Sequence, residues 1–137
     1  MVKRIIHIGI AVENLEKAQT FFRDTMGLDV GPVESFGELR FSFILINGTS
    51  LELLQSTDPE GTIAKFIRKN GEGIHHVAFE VEDISSVLGQ LKTKGVRLIN
   101  EQPYLNAHKE LVAFIHPKST HGVLFELVQA RDKDDSS

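Results

Sequence analysis

Apolar positions along this chain fall into two alternating patterns, and the order in which those patterns appear is repeated. From Arg4 to Val12 (RIIHIGIAV) they alternate, with Ile6, Ile8, Ile10 and Val12 on one parity and His7, Gly9 and Ala11 on the other, which predicts a strand whose first face packs on helices. Asn14, a good N-cap, precedes Leu15, Ala18, Phe21, Phe22 and Met26 at helical spacing, and Gly27 supplies the stop. Strands are then predicted over Leu28 to Val33, Arg40 to Ile46 and Ser50 to Gln55, the last two joined by the hairpin dipeptide Asn47-Gly48. The second half runs in the same order. A strand from Ile74 to Val81 leads to the cap Asp83, a helix through Ile84, Val87, Leu88 and Leu91 that stops at Gly95, and strands over Val96 to Ile99, Leu111 to His116 and Val123 to Val128. Each half therefore reads βαβββ, with a turn at Asp58-Pro59-Glu60-Gly61 and a short amphipathic helix over Thr62 to Asn70 between them. The expected organisation is a single domain over 1–137, built of modules 1–57 and 73–130, a linker helix in 58–72 and a disordered tail from 131 to 137.

The repeat extends to polar residues. His7 is followed after 45 positions by Glu52, and His76 after 50 positions by Glu126, while histidine and helix cap stand seven apart in both halves. Parity makes His76, not His75, the counterpart of His7, because Val77, Phe79 and Val81 take the packed face. Glu52 is opposite in parity to Leu51 and Leu53, and Glu126 to Phe125 and Leu127. Two imidazoles and two carboxylates are thus expected on one concave sheet face, with small Gly9 and Ala78 leaving room above it. A lone strand histidine is usually a hydrogen-bonded structural residue. Recurrence at matched places points instead to a bound divalent cation, which compensates the otherwise high cost of a carboxylate on a partly buried face.

Composition narrows the chemistry. Cysteine is absent, so the donors can only be nitrogen and oxygen, a set that suits cobalt, zinc, manganese, nickel or iron better than calcium. At 137 residues, 41% hydrophobic and 25% charged, the chain has ordinary globular usage. Its net charge of -4, with no basic stripe, argues against a nucleic-acid partner. The first apolar run is interrupted by His7 and soon meets Glu13, Glu16 and Lys17, too short and polar for a signal peptide or membrane span. No membrane association and a cytoplasmic location are the expectation.

The stretches HIGIAVENLEKA, LELLQSTDPEGTIAKFI, GEGIHHVAFEVEDI, KGVRLINEQP and HPKSTHGVLFELVQ resemble the vicinal oxygen chelate, or glyoxalase-like, superfamily, and within it the methylmalonyl-CoA epimerase branch, from about Ile5 to Gln129. The resemblance implies an α+β fold in which two βαβββ modules form a curved mixed sheet around a metal site, with His7, Glu52, His76 and Glu126 as ligands. It also implies an acyl-CoA substrate, 1,1-proton transfer through a metal-stabilised enolate, and a homodimer. Two stretches depart from the pattern. VESFGELRFSF has Ser42 where some members carry a glutamate proposed as a base, and LNAHKELVAF has Asn106 and Lys109 in place of glycine-rich turns.

Glu126 is the first choice for moving the proton, with Glu52 as its symmetry-related partner. Glu38, Glu101 and Glu110 read as surface groups. His108 and His121 lie in loops of the second module, His116-Pro117-Lys118 forms a turn, and Lys65, Arg68, Lys109 and Lys118 could attract the phosphates of coenzyme A. The nearest alternative is a lactoylglutathione lyase. A non-catalytic small-molecule-binding protein of the same fold would want an aromatic cavity, and this chain has no tryptophan and one tyrosine, Tyr104.

Overall fold

A computed structural model describes residues 1–130; the predicted tail lies outside the described residues. Its elements are β1 (Val2–Ala11), α1 (Leu15–Thr20, continued by a π-helical turn at Phe21–Thr25), β2 (Glu34–Phe36), β3 (Leu39–Ile46), β4 (Thr49–Ser56), α2 (Thr62–Asn70), β5 (Gly73–Val81), α3 (Ile84–Thr93), β6 (Tyr104–Leu105), β7 (Leu111–Ile115) and β8 (Phe125–Gln129). The chain therefore carries βαβββ twice, with α2 between the copies. The fold is α+β. Two units partition it, one formed by residues 7–75 and one by residues 1–6 together with the chain from His76 on.

In the unit of residues 7–75, strand order is β2-β3-β4-β1. β1 runs parallel to β4, and β3 lies antiparallel to both β4 and β2. The two-residue loop Asn47-Gly48 has positive φ at both positions (49° and 90°), the backbone a tight primed turn requires. One face of this sheet packs on α1 through Ile10, Val12, Leu15, Ile44 and Leu53. The opposite face, with Ala11, Phe41, Phe43 and Leu54, receives α2 through Ile63, Phe66 and Ile67.

The other unit has the order β1-β5-β8-β7-β6. β5 is parallel to β8, while β8-β7 and β7-β6 are antiparallel. Its helix-side core gathers Val81, Ile84, Val87, Leu88, Ala113, Ile115 and Leu127. Ile6 packs against Ala78, Val112 and Val128 on the reverse face, not with Ile10 on a helix as strand alternation predicted. The residues before His7 belong to this unit and cover the face that Ala78 leaves low.

Two predicted strands contract to single bridges. Leu28 to Val33 is reduced to the bridge Val30↔Ile44, and Val96 to Ile99 to Leu98↔Ile115. Regular pairing resumes only past Pro32 and Pro103, at β2 and β6. Pro32 lies within the first of these runs, and having no N–H it cannot continue a ladder there.

Candidate functional site

Each unit places one imidazole against one carboxylate in the same way. In the parallel ladder β1-β4, Glu52 stands opposite Gly9, two residues beyond His7. In β5-β8, Glu126 stands opposite Ala78, two residues beyond His76. Residues two apart share a face, so each glutamate lies diagonally beside its histidine, over a residue too small to separate them. The His7 Nε2 to Glu52 Oε1 distance is 3.4 Å, and the His76 Nε2 to Glu126 Oε1 distance is also 3.4 Å. His76 and Glu126 are buried, at 5% and 7% exposure; His7 and Glu52 are partly so.

The symmetry continues one layer out. Phe43 is the cross-strand partner of Glu52 and meets the His7 ring edge-on at 6.1 Å. Phe114 is the partner of Glu126 and meets His76 edge-on at 6.0 Å. Each imidazole is held between a phenyl ring and a carboxylate, in surroundings where a charge interacts strongly. A second pair of matched residues fixes the carboxylate strands. Gln55 Oε1 accepts from the Leu15 N–H at the start of α1, and Gln129 Oε1 accepts from the Ile84 N–H at the start of α3 (2.9 Å). Both glutamines stand three residues after the site glutamate. The repeat LELLQ and FELVQ held this signal, but a glutamine in a strand attracts no notice until its helix is placed.

Ser42 proves unrelated to this face. It is fully buried, donates to the Gly31 carbonyl (2.8 Å) and accepts from the Gln19 amide (3.1 Å). Its parity is that of Ile44 in the α1 core, whereas Phe43 shares the face of Glu52. The other sequence candidates are also dispersed. Glu101 pairs with Lys92 at 3.2 Å on the exposed surface. Glu110 is bonded by the Asn106 side chain (3.0 Å) within the β6-β7 turn. His108, His121, Lys109 and Lys118 are exposed, Lys65 lies 4.0 Å from Glu60 and Arg68 donates to the Pro59 carbonyl. His116 accepts from the Lys118 N–H through Nδ1 (3.0 Å), a turn bond. Glu38 is the exception: among the described residues its buried Oε2 has no hydrogen-bond partner, beside Gly61 at the start of α2.

The donor set fits a metal. His7, Glu52 and His76 offer nitrogen, oxygen and nitrogen, the chemistry that could hold a divalent ion, and Glu126 stands beside His76. Within each pair, donors 3.4 Å apart can both reach one ion at the roughly 2.0–2.2 Å typical of zinc bonds to imidazole and carboxylate.

Residues 6–114 match the glyoxalase/bleomycin resistance protein/dioxygenase superfamily. The chain belongs to this superfamily. Among its relatives, the mouse mitochondrial methylmalonyl-CoA epimerase is 39% identical over 93% of this chain and 73% of its own length. An ethylmalonyl-CoA/methylmalonyl-CoA epimerase of Cereibacter sphaeroides is 38% identical over 94% of this chain and 99% of its own. A solved methylmalonyl-CoA epimerase in complex with methylmalonyl-CoA and NH4+ superposes with a TM-score of 0.88 at 35% identity, covering 95% of this chain and 96% of that one. The superfamily hosts several chemistries, so the match in fold alone does not choose among them. The duplicated histidine-glutamate pair is what a choice must rest on.

Proposed function

We propose that this protein epimerises methylmalonyl-CoA by metal-dependent 1,1-proton transfer. The observation that carries the reading is the His-Glu pair present at the same register position in both units, in a chain that matches epimerases along nearly its whole length. One pair supplies two donors, fewer than the roughly four to six that zinc, cobalt, manganese, nickel or iron takes in such sites. His7, Glu52, His76 and Glu126 are accordingly assigned to a single ion. When bound, that ion supplies Lewis-acid stabilisation of the negative charge that develops on the thioester oxygen as the C2 proton leaves.

The residues divide the remaining work. Glu126, the more buried carboxylate, takes the proton from C2 on one face, and Glu52 serves the opposite face. His76 and Phe114 hold Glu126 in place, as His7 and Phe43 hold Glu52. An acyl-CoA substrate, a single domain of two modules, a homodimer and a cytoplasmic location belong to the same proposal. No helix among the described residues is long and apolar enough to cross a membrane.

The test is incubation of metal-loaded protein with methylmalonyl-CoA in deuterium oxide, followed by proton NMR and chiral analysis. Solvent deuterium at C2 together with inversion is the expected result. Turnover of methylglyoxal with glutathione in place of that exchange would support the lyase alternative.

A further inference from the structure

Tyr104 begins the edge strand β6, and its cross-strand partner is Val112. Val112 pairs in turn with Val128, while two positions along β7 Phe114 pairs with Glu126. Cross-strand partners share a face, and so do residues two apart. Tyr104 therefore stands on the face that carries His76, Phe114 and Glu126. The hairpin behind it is firmly tied: Asn106 Oδ1 accepts from the His108 and Glu110 N–H groups, both at 2.9 Å, and its Nδ2 donates to Glu110 Oε1 at 3.0 Å. A side chain mounted on such a turn holds its position.

The phenol itself is unspent. The residue is 45% exposed, so over half of it is covered, yet among the described residues no hydrogen bond engages its hydroxyl. Burial raises its pKa above the ordinary value, and the negative charge of Glu126 pushes in the same direction. It is an O–H donor on the sheet face that also carries Glu126. A neutral donor gains most from an anionic acceptor.

We propose that Tyr104 contacts the substrate, its hydroxyl donating a hydrogen bond to the carboxylate of the acyl group. The proposal rests on the epimerase reading for the identity of that group. It makes Tyr104 a residue that selects acyl thioesters bearing a second carboxylate over those without one.

The chain provides its own reporter, because Tyr104 is the sole tyrosine and tryptophan is absent. Titrating metal-loaded wild-type protein with methylmalonyl-CoA is expected to change the tyrosine emission, while propionyl-CoA, which lacks the carboxylate, changes it little. Tyr104→Phe is expected to raise KM for methylmalonyl-CoA by about 10-fold or more, the usual effect of losing a hydrogen bond to a charged group, with kcat and metal content nearly kept. It should leave propionyl-CoA affinity unaltered. An unchanged KM, or an emission change of equal size for both thioesters, overturns the proposal. An inactive wild type that still shows the selective emission change removes the epimerase reading and leaves the contact standing.

Discussion

At the scale of single residues, the site is two copies of one arrangement in which the histidine, the glutamate and a phenylalanine are placed by strand register. Glu126→Gln keeps shape and removes the charge that accepts a proton. Its kcat should fall by roughly 10²–10⁴-fold with the melting temperature little changed, measured by deuterium exchange and calorimetry; undiminished exchange would remove Glu126 from the mechanism. Ser42→Ala should do the reverse, costing about 1–3 kcal/mol of stability by removing two buried hydrogen bonds, to the Gly31 carbonyl and from the Gln19 amide, while leaving kcat intact in the same assays. Tyr104 gives a pH prediction. Its raised pKa means that the folded state favours the neutral phenol, so this contribution to stability is full below the ordinary value of 10.0 and is lost as pH rises through the higher folded value. Absorbance at alkaline pH should show one phenol titrating above that value, and Glu126→Gln should bring it only part of the way back, since burial is the larger cause. A normal midpoint would contradict the environment described. The pairings of His7 with Glu52 and of His76 with Glu126 were legible because a period of two sorts side chains between faces and the repeat marks which ones recur. Phe43, Phe114 and Tyr104 were not, because the partner across a ladder depends on a register that no local pattern encodes.

At the scale of elements, the caps and the strand-helix ties decide how firmly the site strands are held. Asn14 Oδ1 accepts from the Lys17 N–H (2.9 Å) and Asp83 Oδ1 from the Ser86 N–H (3.1 Å), so both helices begin at the residues the sequence marks. Gln129→Ala frees the Ile84 N–H and should cost about 1–2 kcal/mol, whereas an exposed glutamine of α3 such as Gln90 should cost little; chemical denaturation of the two variants compares them, and equal stabilities would show the tie to be slack. At the start of α2, a Cβ on Gly61 would collide with the Glu38 carboxylate and with Ser56 Oγ, which already accepts from the Ile63 and Ala64 N–H groups (both 3.1 Å). The helices and the β3-β4 hairpin were readable from caps, period and the Asn-Gly turn. The strand read through Pro32 was misplaced, since its apolar run satisfies the alternation rule but a missing N–H decides where pairing can continue.

At the scale of the whole molecule, duplication gives a chain without cysteine the same histidine-glutamate pair twice, from two similar short motifs, in a chain that belongs to the superfamily; the proposed function assigns both pairs to one ion. The most direct test is the metal stoichiometry of the purified chain by mass spectrometry after loading and desalting, for the wild type and for His7→Ala and His76→Ala. One divalent ion per chain, lost in either variant, is the expected result, because neither pair alone completes a coordination sphere. Two ions per chain with each variant losing one, or an ion retained after both histidines are replaced, would contradict the single shared centre.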